Sequence, residues 1–314
     1  MMRFKNLLLL LLIVLFSFGC GRVKSENLID HRPKILSTIA QIGNLVQEIG
    51  GDRIQSFILV KGELNPHSYE LVKGDDEKIQ SANLVIYNGL GLEHGVSVTT
   101  MIQDHKNSFA VGDYIASHHS ERVLWKEGVQ DPHIWMDISL WKEAIDPMTE
   151  KLIEIDPEGK DVYLSRAKLL KQKMIETDLM MVQILQKIPS QKRFLVTSHD
   201  AFGYFTRRYL AENGENDWYK RFAAPEGLSP EGQLNPVDLQ KIIDHMHSYQ
   251  IEVLFPESNV SHDSIRKIAI AGKKMGISLR VCSDALYGDS IQGSYLDSML
   301  HNAKTIYQFL GETE

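Results

Sequence analysis

The sequence predicts an α/β protein of two Rossmann-like lobes, each a parallel sheet flanked by helices, joined by one long helix. Short apolar runs alternate with amphipathic helical segments in both halves of the chain, which is typical of parallel sheets covered by helices. A long segment near the middle has strong helical periodicity and few helix breakers. With 314 residues, of which 43% are hydrophobic, the chain is long enough for two lobes with their own cores.

The first half contains three predicted strands. They cover residues 34–39, 54–60 and 84–87, and the last of them is ended by the turn-forming pair Asn88-Gly89. Between the first two strands, Leu45, Val46 and Ile49 recur at helical spacing before Gly50. The first lobe is therefore predicted over residues 34–156.

The middle segment predicts one helix over residues 158–188. Asp156 fits the cap position before it, and Pro157 fits the first helical turn. A helix of roughly 30 residues is about 45 Å long, which is the length of a structural spine. We therefore expect a linking helix over residues 157–189, between the first lobe and a second lobe over residues 190–314.

The second half repeats the α/β pattern. Strands are predicted over residues 194–197, 253–255 and 279–281, and helices over residues 202–209, 262–275 and 296–310. Cys282 follows the last of these strands and is interpreted as a small core residue.

The N-terminus predicts an export segment rather than part of the fold. Arg3 and Lys5 precede an apolar run over residues 7–18, which is too short to span a membrane comfortably. Gly19-Cys20 then resembles a bacterial lipobox, although Ser17 stands where Leu is usual. We expect a signal peptide over residues 1–20, a lipid on Cys20 and a tether over residues 21–33. Ordinary cleavage nearby, with a free thiol, is the alternative.

Charge and cysteine content exclude several classes. The net charge is −7, and loss of residues 1–19 removes two positive charges and no acid, which gives −9. An acidic chain lacks the basic surface that binds nucleic acid or anionic lipid. The chain has two cysteines, one of them at the predicted tether, so we expect no disulfide framework.

Four polar residues occupy similar positions beside strand ends. They are His67, His133, His199 and Asp284, two from each half. Ligands of open α/β sheets bind beyond the carboxyl ends of the strands, so these side chains would meet in the cleft between the lobes. Taken singly, each histidine is also typical of a surface loop, and Asp284 of a helix cap.

Six segments of the sequence resemble the metal-binding lipoproteins of zinc, manganese and iron ABC importers, the TroA/ZnuA-like family. They cover residues 65–70, 131–135, 198–205, 227–230, 256–259 and 283–289. The resemblance runs from about Lys34 to the C-terminus. It implies an extracytoplasmic, lipid-anchored monomer that is not an enzyme. Such a protein binds one Zn, Mn or Fe ion and delivers it to an ABC permease with a cytoplasmic ATPase.

The same resemblance implies that His67, His133, His199 and Asp284 ligate the metal. Asn65 stands where the family usually has Asp, which leaves His67 in place but removes a carboxylate beside it. Metal-bound histidines usually donate their other ring N–H to a carboxylate or carbonyl. The candidates are Asp131, Asp137 and Asp200, which are equally typical of solvated loops.

Two other functions remain open at this point. A metal hydrolase would keep an open metal position for water, but the sequence has no His-Glu-x-x-His segment and no nucleophile elbow. A surface adhesin would hold only a structural metal. The physiological metal is not determined by the sequence. His118 and His119, and likewise His245 and His247, are interpreted as surface residues.

Overall fold

The structure is a computed structural model that describes residues 30–230 and 235–311. The chain divides into two compact units, Met1–Arg32 and Pro33–Glu314. In the first unit the described residues are 30–32, where Arg32 Nη2 lies 2.6 Å from Asp30 Oδ2. The predicted signal peptide, Cys20 and most of the predicted tether lie outside the described residues.

The first sheet has four parallel strands in the order β2-β1-β3-β4. Their bounds are β1 Lys34–Ser37, β2 Gln55–Ile58, β3 Leu84–Tyr87 and β4 Ser108–Ala110. The central strands β1 and β3 are apolar and almost fully buried, as expected where helices cover both faces. The edge strand β2 is partly exposed.

The second half contains two further parallel pairs of short strands. β7 Leu195–Val196 pairs with β8 Phe222–Ala223, and β9 Val253–Leu254 pairs with β10 Arg280–Val281. The Phe255 amide donates to the Val196 carbonyl at 2.9 Å and so connects the two pairs. In the first half, β5 Trp125–Lys126 and β6 Val129–Gln130 form a separate antiparallel hairpin. Its turn has positive φ at Glu127 and Gly128, as two-residue hairpins require.

Helices pack around the strands of both halves. Over the described residues the α-helices are Ala40–Gly50, Asp75–Ser81, Val96–Asp104, Val111–His118, Ile138–Trp141, Ile145–Ile155, Lys160–Leu185, Gly203–Phe205, Pro236–Tyr249, Asp263–Lys274 and Tyr295–Leu310. A π-helical turn, Thr206–Leu210, extends Gly203–Phe205. None of the helices in the described ranges is long and apolar enough to cross a membrane.

The spine helix, Lys160–Leu185, has 26 residues and is about 39 Å long. It is shorter than predicted because a 3₁₀ turn, Pro157–Gly159, precedes it. It packs against Ala40–Gly50 and Ile145–Ile155 from the first half and against Tyr295–Leu310 from the second. The spine therefore contacts elements of both halves, and the two-lobed α/β fold with a linking helix is confirmed.

The principal hydrophobic core is shared between the halves. It includes Ile35 and Ile86 of the first sheet, Leu170 and Met174 of the spine, and Phe255 of the second half. A smaller cluster lies in each half, one around Val85 and one around Ile243. Because the main core is continuous, the predicted lobe boundaries at residues 156 and 190 stay a prediction.

Candidate metal centre

Three histidines and one aspartate converge at a buried point. They are His67, His133, His199 and Asp289, whose ligand atoms all lie within 4.8 Å of one another. The Nε2 atoms of His67, His133 and His199 lie 3.4, 3.4 and 3.2 Å from the Asp289 oxygens. All four side chains are 0% exposed.

Each of the two histidines of the first half is held by its own turn, and the two turns are of the same kind. The His67 amide donates to Asn65 Oδ1 at 2.8 Å, and the His133 amide donates to Asp131 Oδ1 at 3.0 Å. Such turns, closed by an Asn or Asp side chain, set the backbone direction two residues on. Asn65 therefore retains the backbone role of the family's usual aspartate, without its charge.

The two members from the second half follow strands. His199 comes after β7, and its amide donates to Glu257 Oε1 at 2.8 Å. Asp289 lies in the loop after β10, next to Gly288. The Gly288 carbonyl accepts from Trp135 Nε1 at 2.9 Å and from Gln41 Nε2 at 3.4 Å. Side chains of the first half thus hold the loop that carries Asp289.

The second ring nitrogen of each histidine has its own partner. His133 Nδ1 lies 2.8 Å from Asp131 Oδ1, and His199 Nδ1 lies 2.7 Å from Glu257 Oε2. The Ser229 hydroxyl lies 3.3 Å from Nδ1 of His67. With every Nδ1 facing a partner, all three Nε2 atoms point to Asp289, which is the arrangement of histidines that ligate a metal.

The carboxylates and imidazoles of the cluster shift one another's pKa values. Burial lowers the pKa of His67. Burial also disfavours the imidazolium of His199, but the carboxylates of Glu257 and Asp289 outweigh it and raise the pKa of His199 well above its usual value. Although burial favours the neutral acid, the His199 and His67 rings hold the pKa of Asp289 well below its usual range. These directions favour an ionised Asp289 beside a protonated His199.

The donor set fits a transition-metal ion. Neither oxygen of Asp289 receives a hydrogen bond from the residues that the structure describes, although both are fully buried. Buried carboxylate oxygens of this kind are normally paired or bound to a metal. Three imidazoles and one carboxylate suit Zn, Mn and Fe. Within residues 30–230 and 235–311 this is the one cluster of three or more potential ligand residues.

The structure corrects the fourth residue of the predicted set. Asp284 is exposed, three residues past β10, and its carboxylate is not part of the cluster. The chain first pairs Leu286 with Glu257 in an isolated bridge, and Asp289 follows three residues later. The aspartate that reaches the histidines is therefore Asp289, at the end of the segment 283–289.

Of the three acids predicted to support the histidines, one contacts a ligand ring and two have other partners. Asp131 contacts His133, as described above. Asp137 instead caps the helix Ile138–Trp141 and pairs with Arg122 at 3.1 Å. Asp200 pairs with Lys126 of the hairpin. Glu257, within the family-like segment 256–259, contacts His199 and was not predicted from the sequence.

His118 and His119 are not part of the cluster. His118 is exposed and stacks on Tyr114, with ring centroids 4.1 Å apart. His119 lies 3.9 Å from Glu143. Cys282 is buried and free, as predicted for a core residue, and burial raises its pKa to about 11.

A two-lobed α/β fold whose halves enclose a site of three imidazoles and one carboxylate defines a metal-binding receptor of the solute-binding class. The model of the family described as "ZnuA: Zinc-uptake complex component A periplasmic" matches residues 35–309. The chain belongs to this family.

Named relatives and a solved structure are similar along nearly the whole chain. Metal-binding protein YtgA of Chlamydia pneumoniae is 38% identical over 298 residues, which is 94% of this chain and 90% of YtgA. Manganese-binding lipoprotein MntA of Bacillus subtilis is 30% identical, covering 93% of this chain and 94% of MntA. The crystal structure of Fe(III)-bound YtgA from Chlamydia trachomatis has a TM-score of 0.86 at 34% identity, covering 90% of this chain and 99% of that one.

These similarities confirm the family resemblance predicted from the sequence. They also confirm its main functional interpretation, since the family's members are the metal-binding components of ABC metal transporters. The family is one of substrate-binding transport proteins.

Proposed function

We propose that this protein captures one Zn, Mn or Fe ion outside the cytoplasm and delivers it to an ABC permease driven by a cytoplasmic ATPase. The ligands are His67, His133, His199 and Asp289. The observation that carries the proposal is the convergence of three Nε2 atoms on the buried Asp289 carboxylate, which receives no hydrogen bond from the described residues. The ion is cargo, held in the cleft until transfer.

The proposal includes three metals because the donor set suits all three. The family description mentions zinc, MntA is described as manganese-binding, and the solved YtgA contains Fe(III). Zn binds nitrogen and oxygen sites more tightly than Mn or Fe(II), so affinity alone does not identify the physiological cargo. The metal content of protein recovered anaerobically from its own organism would identify it.

The site fits a metal-transport receptor better than a metal hydrolase. Four protein ligands complete a tetrahedral site, whereas a catalytic zinc keeps one position for water. The two carboxylates beside the cluster are already engaged, Glu257 with the amide and ring of His199 and Asp131 with the amide and ring of His133. An adhesin with a structural metal would bind its target without supporting metal uptake, and a transport assay separates the two.

The test combines stoichiometry with uptake. The purified protein is expected to bind one metal per chain, with X-ray absorption showing three nitrogen donors and one oxygen donor. His133→Ala should lose most of its affinity and should fail to restore uptake of radioactive manganese or zinc in cells that lack the receptor. His118→Ala, which changes an exposed histidine away from the cluster, is the matched control. Uptake restored equally by His133→Ala would overturn the proposal.

The proposal also includes a lipid anchor on Cys20 and a monomeric receptor. The lipobox-like Gly19-Cys20 and the description of MntA as a lipoprotein support the anchor. Palmitate labelling is expected for the wild type and not for Cys20→Ser. Equal labelling of the two would show that the chain is released by ordinary cleavage.

A further inference from the structure

An exposed histidine, His94, lies against the buried site. Its ring centroid is 6.0 Å from that of His67, with an interplanar angle of 75°. Within the cluster itself, the ring centroids of His67 and His199 are also 6.0 Å apart, with an interplanar angle of 79°. His94 and His67 are therefore spaced like two rings that serve one ion, yet His94 is outside the four-residue cluster.

The segment after His94 is docked on the loop that carries His67. A Cβ at Gly95 would lie 2.3 Å from the Tyr69 carbonyl, so the two backbones approach as closely as glycine allows. The Ser97 hydroxyl donates to Glu70 Oε2 at 2.5 Å, and the Leu71 amide lies 3.4 Å from the same hydroxyl.

The residue before His94 is anchored as well. The Glu93 carboxylate accepts from the Thr38 hydroxyl at 2.7 Å and from the amides of Asn88 and Gly89 at 2.9 and 3.1 Å. His94 is thus fixed on both sides, and its position beside His67 is a property of the fold.

The closed cluster requires a route for the ion. All four ligand side chains are 0% exposed, so a hydrated ion must exchange its waters for protein ligands on the way in. We propose that His94 is a transfer ligand, which binds the arriving ion and passes it on to His67 and the rest of the buried cluster. This inference rests on the proposed function.

A transfer ligand has a distinct kinetic effect. It contacts the ion neither in the free state nor in the final complex, so it stabilises only the transition state between them. Removing it slows association and dissociation by the same factor and leaves the dissociation constant unchanged. Removing a resident ligand instead raises the dissociation constant.

Stopped-flow mixing of the full protein with Zn²⁺ or Mn²⁺ measures both rates. Trp135 supplies the fluorescence, since its ring lies 5.4 Å from that of His133. We expect His94→Ala to slow metal binding, and release to a chelator, by about tenfold each, which corresponds to about 1.4 kcal/mol of barrier. His94→Asp, which restores a metal-binding side chain, should recover much of the rate, and His118→Ala should behave as the wild type.

The outcomes separate this inference from the proposed function. Unchanged rates in His94→Ala would overturn the inference while leaving the proposed function intact. A weakened affinity with an unchanged association rate would also overturn it, because His94 would then be a resident ligand. A wild type that binds no metal would overturn the proposed function and this inference together.

Discussion

The carboxylate of Asp289 provides the sharpest test of the proposed ligand set. Asp289→Asn keeps the shape of the side chain and removes its charge. In the wild type the two oxygens lie 3.2 to 3.4 Å from three imidazole nitrogens, and Asp289 is the one acid in the cluster. Loss of a partner that only supports a ligand costs 10- to 100-fold in affinity, so loss of the ligand itself should cost at least about 100-fold. That is about 2.7 kcal/mol of binding free energy.

The matched control is Asp284→Asn. It makes the same chemical change five positions earlier in the same loop, at an exposed side chain outside the cluster. Competition titrations against a chelator, with Zn²⁺ and Mn²⁺ at one fixed pH, should show wild-type affinity for Asp284→Asn and a large loss for Asp289→Asn. The reverse result would refute the site geometry and restore the ligand predicted from sequence.

Three further predictions concern protons, supporting residues and motion. Because the raised pKa of His199 keeps its ring protonated in the metal-free site, metal must displace a proton, and affinity should rise with pH through neutrality. Calorimetry in buffers of different ionisation enthalpy should detect that proton, and a dissociation constant that is constant between about pH 5 and 7.5 would contradict the argument. Glu257→Gln should weaken metal binding by about 10- to 100-fold in the same titrations, and wild-type affinity would show that His199 needs no such partner. The spine helix has no proline or glycine within Lys160–Leu185, so X-ray scattering of metal-free and metal-loaded protein should nearly superimpose, and a large fall in radius of gyration would refute a rigid spine.

The three histidines were predictable because their local sequence fixes their position. Each of His67 and His133 follows an Asn-Pro or Asp-Pro pair, which forms the turn seen in the structure, and His199 comes shortly after the apolar strand β7. Short-range chemistry of this kind is visible in sequence. It does not depend on how distant parts of the chain pair.

Asp289 and Glu257 were not predictable in the same way. The path of the loop after β10 is set by the bridge between Leu286 and Glu257, two residues that are far apart in the chain. Closeness to a strand end therefore favoured Asp284, whereas the acid that joins the cluster, Asp289, comes after the long-range bridge. The role of Glu257 depends on the adjacency of β7 and β9, which the Phe255 to Val196 hydrogen bond establishes.

The lengths of the strands and of the spine helix were also only partly predictable from sequence. The apolar runs at residues 194–197, 253–255 and 279–281 were each predicted as strands, but two residues of each have strand pairing. An apolar run reports burial, while strand assignment needs a hydrogen-bonded neighbour at the right register. The spine is likewise shortened at its start by a 3₁₀ turn, which its helical periodicity does not reveal.

The core that continues through the spine also determines how the molecule unfolds. Side chains of the first sheet, the spine and the second half pack in one cluster, so separating the halves would expose apolar surface on each. We therefore expect that neither half folds independently and that thermal denaturation is a single cooperative transition for both. An ion held between them raises the melting temperature of the whole molecule, since it binds only the folded state. Binding of the ion and stability of the whole fold are thereby coupled.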